Sequence, residues 1–147
     1  MAGNTDPIYS RASDIQALAC IAISANADST GGGTLQPFYQ ADTTNGGFVQ
    51  RIRIQPIATT ATATTGTSIR IFLSNITGTW TGNSSSNTWS IAELTLPATT
   101  LSATAGQASY DIPLNMAIPA GWRLACSFGT TLAANTGYVV AAIAGKY

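Results

Sequence analysis

Apolar residues recur at every second position through long stretches of this chain. Ile15, Ala17, Ala19, Ile21 and Ile23 make one such series, and Phe48, Ile52 and Ile54 a second. Ile69, Ile71 and Leu73 follow, then Trp122, Leu124, Cys126 and Phe128. A period of two belongs to strands, whose successive side chains point to opposite sheet faces. Leu35 to Ala41, Trp89 to Leu96, Ser109 to Leu114 and Tyr138 to Ile143 are further strand candidates. No window carries the pattern of a long amphipathic helix. The prediction is an all-β chain of about eight short strands, folded as an antiparallel β-sandwich of jelly-roll-like arrangement.

Turn chemistry falls between these runs. Gly31-Gly32-Gly33, Asn45-Gly46-Gly47 and Pro119-Ala120-Gly121 supply either positive φ or a preset first turn position. Two connections are longer and of low complexity, Ala58 to Thr67 and Thr77 to Thr88. They read either as solvated links at the sandwich ends or as contact loops on a rigid scaffold. Residues 1–14 lack strand periodicity, so the expected organisation is an N-terminal arm over 1–14 and one domain over 15–147. The arm is either a frayed end or a segment that orders on a neighbour, with Ile8 and Tyr9 as apolar anchors and Arg11 beside them.

Composition narrows the function. Of 147 residues, 6 are Lys or Arg, 6 are Asp or Glu and none is His, while 45% are hydrophobic. Charged residues thus make up 8%, against roughly a quarter in ordinary domains. A surface of Thr, Ser, Asn, Gln, Gly and Ala suits a protein packed against copies or partners. Zero net charge and a pI near 6.0 lack the electrostatic footprint of a nucleic-acid or membrane-surface binder, so neither partner is expected. Apolar stretches such as Leu18 to Ile23 are too short to cross a bilayer, and the opening residues lack a signal-peptide design.

Catalysis is not expected. A cysteine nucleophile wants a histidine partner, and Asp6, Asp14, Asp28, Asp42, Glu93 and Asp111 form no recognisable acid–base pair. Asp28 or Asp42 beside Gly-rich turns lacks the dense ligand spacing of a calcium loop, so no metal or cofactor is expected. Cys20 and Cys126 read as buried free thiols, with a disulfide or a reactive thiol as the alternative. Asn75 and Asn83 begin glycosylation sequons, read as chance matches in a Thr/Ser-rich chain.

Candidate contact residues remain. Alternation in FVQRIRIQPI sends Arg51, Arg53 and Gln55 to the face opposite Phe48, Ile52 and Ile54, and sets Arg70 opposite Ile69 and Ile71. These arginines are either a solvated face or a stripe that pairs partner carboxylates bidentately. Trp80 stands in a Gly-flanked loop, where it either caps the core or presents a stacking or anchoring surface together with Asn83 and Asn87.

Several strings carry a resemblance: the opening MAGNTDPIYSRASDIQ, the central ADTTNGGFVQRIRIQP, then LTLPATT, PLNMAIPAGWRL and the ending AGKY. Over nearly its whole length the chain resembles small tailed-phage and prophage virion proteins. The resemblance implies a jelly-roll-like head decoration, or cement, protein on the outer capsid surface, assembled in the host cytoplasm. Its partner would be the major capsid protein, and a homotrimer would match a local threefold of the shell. A neck or tail position fits the same strings, and a glycan- or host-surface-binding sandwich is the alternative from another class.

Overall fold

The computed structural model describes residues 12–59 and 62–147. In chain order the strands are β1 (Ala12–Ser13), β2 (Gln16–Ile21), β3 (Gln36–Gln40), β4 (Gly47–Ala58) and β5 (Thr67–Ser74). They continue as β6 (Thr88–Leu96), β7 (Tyr110–Ile118), β8 (Arg123–Phe128) and β9 (Thr136–Lys146). In the five-stranded sheet β9 lies between β4 and the β1/β2 edge, with β7 beyond β4; the four-stranded sheet runs β3-β8-β5-β6. Every pairing is antiparallel. Apart from the β1–β2 step and the β5–β6 hairpin, each connection crosses from one sheet to the other, and the eight longer strands follow jelly-roll order. Each predicted strand has its counterpart, and β1 is a two-residue addition.

The inner faces meet as alternation requires. Val49, Ile52 and Ile54 of β4 and Val140 and Ala142 of β9 face Ile69 and Ile71 of β5 and Leu124, Cys126 and Phe128 of β8, all fully buried. Phe128 stacks on Tyr138 across the sheets with ring centroids 5.8 Å apart. The Tyr138 hydroxyl donates to the Thr65 carbonyl at 2.9 Å, so the buried phenol is satisfied.

One strand, and the start of another, present the opposite face to the one expected. On β2 it is Leu18 and Cys20 that turn inward, while Ile15, Ala17, Ala19 and Ile21 lie outside. Both parities of this strand are apolar, so alternation alone does not choose between them, and a slip of one residue exchanges the faces. On β4 a register shift between Val49 and Arg51 adds Gln50 as an extra residue, which puts Val49 in the core and turns Phe48 outward. The sheet also begins earlier than residue 15. Ala12 and Ser13 pair with Lys146 and Gly145, and the Asp14 amide donates to the Ala144 carbonyl.

A second apolar cluster sits on the outside of the four-stranded sheet. Leu35, Phe72 and Ala125 are buried there, with Trp80 packed over them. Phe72 and Ala125 are cross-strand neighbours facing away from the main core, so the loops before β3 and after β5 supply their cover. At Gly31, φ is +94° and a Cβ would strike the Thr88 carbonyl, so the loop before β3 can lie close against β6 only with glycine there.

Candidate partner-binding surface

The outer face of the five-stranded sheet is divided by chemistry. Register aligns Ala17 with Ala141, Ala141 with Arg53, and Arg53 with Asp111. The next row places Ala19, Val139 and Gln55 side by side, and on the other side Ile143 stands beside Arg51 and Pro113. The β2/β9 half is therefore apolar and mostly of small side chains, while the β4/β7 half carries the charge. Ile15 is 63% exposed and Ile21 37%, values unusual for isoleucine in a core-forming strand.

On the charged half Arg53 is already engaged. Its Nε and Nη2 each donate to an Asp111 carboxylate oxygen at 2.9 Å, the bidentate geometry a guanidinium favours. Those hydrogen bonds, with the charges of Arg53 and Arg51 adding to them, hold the Asp111 carboxyl below its ordinary range. Arg51 Nε stays 3.8 Å from Asp111 and has no hydrogen-bond partner among the described residues. Two guanidiniums thus share one carboxylate; the unpartnered Arg51 Nε is itself buried, while the side chain as a whole is 38% exposed.

Arg70 does not join them. It lies on the four-stranded sheet, where Nη2 is 3.2 Å from Glu93 and the side chain is 16% exposed. The three arginines therefore form no common stripe. Alternation places residues on faces, but it does not say which strands share a sheet.

The Thr77 to Thr88 loop is held inward. Trp80 is half-buried over Leu35, Phe72 and Ala125, and Arg123 Nη2 donates to the Gly78 carbonyl at 2.7 Å. The Asn83 amide donates to the Gly31 and Gly33 carbonyls at 2.8 and 2.9 Å. Asn87 donates to the Gly82 carbonyl and accepts from the Ser84 amide, both at 2.9 Å. The groups considered for sugar recognition are thus engaged within the fold, Asn83 by the loop before β3, Asn87 by its own loop and Trp80 by the outer apolar cluster. Ile8, Tyr9 and Arg11 lie outside the described residues.

Two further carboxylates, Asp28 and Asp42, serve turns. Asp28 Oδ1 accepts from the Thr30 amide and hydroxyl at 2.7 Å, and Asp42 Oδ1 from the Thr44 and Asn45 amides at 3.0 and 2.9 Å. These bonds lower both carboxyls below their ordinary range, as expected of acidic residues that close Asx turns. A shallow cavity of about 320 Å3, lined by Asp14, Gln16, Gln40, Asp42 and Lys146 among others, opens where the described chain begins.

Sequence reasoning missed the exposed apolar strip of β2 and the outward Phe48. The available signal was that QALACI is apolar in both parities, so a sheet that buries one face of it leaves the other bare. No family model, curated protein or solved structure matches the chain, and its own surface chemistry is what points to function.

Proposed function

We propose that the protein is a phage capsid decoration protein that attaches to major capsid protein subunits through the outer face of its five-stranded sheet and strengthens the shell by contact, without catalysis. The observation that carries this reading is the divided face itself, with Ile15, Ala17, Ala19 and Ile21 exposed beside Arg51. Small side chains let another surface approach the backbone closely, and apolar area removed from water contributes roughly 25 cal/mol per Å2. Arg51 adds direction, because its part-exposed guanidinium suits a carboxylate on the shell. Repetition over a symmetric particle multiplies weak contacts into stable attachment. The low-charge composition and the resemblance to virion proteins support the same reading.

The test is reconstitution. Purified protein is added to heads that lack it, and bound protein is measured by co-sedimentation and located by electron microscopy. The expected result is density on the outer shell, with binding at least tenfold weaker for the Ala17→Glu/Arg51→Glu variant at unchanged circular dichroism. Density only at the neck or tail would make it a structural protein of that region. Binding to glycan arrays with none to heads would overturn the reading.

A further inference from the structure

An open sandwich has edge strands whose outward amides and carbonyls lack strand partners, and natural sheets guard them against unwanted pairing. Most edges here are guarded. β3 contains Pro37 with a register shift beside it. β6 carries Glu93 and a register shift opposite Ile71 and Phe72. β7 carries Asp111, Pro113 and Asn115, the last at φ +48°. β2 has none of these devices. Its sequence QALACI holds no charge and no proline, and its register with β9 runs unbroken from Gln16 and Ala142 to Ile21 and Gly137.

The register also tells which backbone groups are free. The Asp14 amide donates to the Ala144 carbonyl at 2.9 Å, and the same register continues through Gln16, Leu18 and Cys20. In an antiparallel ladder alternate residues exchange both bonds with their partners, so these even-numbered residues face β9. The amides and carbonyls of Ile15, Ala17, Ala19 and Ile21 point the other way. Among the described residues no strand lies beside them, and no backbone hydrogen bond outside the strands reaches them.

We propose that β2 pairs antiparallel with β2 of a second copy of this chain, joining two five-stranded sheets into one across a two-fold axis perpendicular to the sheet. A second copy is the occupant the chemistry favours. The strand offers no charge to select an oppositely charged partner, whereas two identical strands related by a two-fold satisfy each other's free groups symmetrically. A net charge of zero leaves no overall repulsion between copies. The axis also keeps both outer faces on one side, so the strip of Ile15, Ala17, Ala19 and Ile21 continues from one copy into the next. Such pairing gives dimers in place of the threefold ring that shell symmetry suggests, and it does not depend on what the outer face binds. Because a single short strand pair buries less than the roughly 1,600 Å2 of a standard interface, a weak, concentration-dependent association is expected.

The test uses the full chain in solution. Sedimentation velocity across two decades of concentration should reveal a monomer–dimer equilibrium, and hydrogen exchange should show the Ala17, Ala19 and Ile21 amides gaining protection in step with the dimer. Ala19→Lys places like charges at the junction, and Ala17→Pro deletes an outward amide without touching the β9 ladder. Each should weaken the dimer at least tenfold; for Ala19→Lys the melting temperature should be unchanged, so that variant decides if Ala17→Pro impairs folding. A monomer at every concentration would overturn the proposal, as would an oligomer indifferent to Ala19→Lys. Protection independent of concentration and lost on deleting residues 1–11 would also overturn it, by assigning the edge to the chain's own N-terminal segment.

Discussion

Gln16 ties the two sheets together through both ends of its amide. Its Nε2 donates to the Gln40 carbonyl at 2.8 Å and its Oε1 accepts from the Gln40 amide at 3.0 Å. This clasp requires the Gln16 side chain to turn toward β3, and with it Leu18 and Cys20 turn inward. Two residues along from Leu18, Cys20 of the five-stranded sheet and Cys126 of the four-stranded one are free thiols, both fully buried. The neighbouring Cys20 side chain, and then burial, hold the Cys126 thiol protonated well above its ordinary range. A thiol that is both protonated and enclosed is a poor nucleophile. Native protein should therefore leave both cysteines unmodified by a maleimide over hours, and denaturant should release both to rapid labelling, read by mass spectrometry. Quick labelling of Cys126 in the folded protein would contradict the enclosed core, and no labelling after unfolding would reveal a disulfide.

At the level of elements, the loop between β5 and β6 is a lid on its own sheet. Trp80 covers Phe72, and Asn83 and Arg123 fix the loop on either side of it. Replacing Trp80 with Ala removes that cover from a cluster outside the main core. Full truncation of a buried aromatic costs about 3–5 kcal/mol, and a half-buried one about 2 kcal/mol. Chemical denaturation of Trp80→Ala should show a loss of that size, while the proposed binding to heads through the other sheet should stay as in the parent. An unchanged midpoint would mean that the lid carries no stability, and lost binding with retained stability would move the contact surface to Trp80. This cluster also marks where the sequence stops being legible. Ile69 and Ile71 announce β5 and its inner face, because their neighbours Ser68 and Arg70 are polar. Phe72 breaks that alternation, and only the tertiary placement of Trp80 and Leu35 explains it. The strands were readable wherever one parity was polar; β2 was readable as a strand but not in its facing, and the bulge at Gln50 concealed the turning of Phe48. Of the contact candidates, Arg51 and Arg53 were legible from alternation, whereas their separation from Arg70 depended on strand order.

For the molecule as a whole, the decisive question is what the first residues contribute. The sandwich closes at Ala12, whose pairing with Lys146 ends β9 beside the cavity lined by Asp14 and Asp42. Ala12, the first described residue, lies at the same edge that leaves Ile15 and Ala17 exposed, and residues 1–11 precede it. They include Ile8 and Tyr9, apolar anchors that a merely solubilising tail does not need. Ordering such a segment on a particle loses roughly 1–2 kcal/mol of backbone entropy per residue, so the anchors and new main-chain bonds must offset that loss. Removing residues 1–11 while keeping Ala12 to Asp14 should leave the melting temperature within about 2 °C of the parent, a shift worth no more than about 1 kcal/mol in a chain of this size. Attachment to heads should weaken at least tenfold in the same co-sedimentation assay. Undiminished attachment would confine the contact to the Arg51 face. A drop of many degrees in melting temperature would mean that Ile8 and Tyr9 pack on their own sandwich. The Ala19→Lys variant separates that case further, because a segment lying along β2 would then lose both its stabilising effect and its protection of the Ala17 amide.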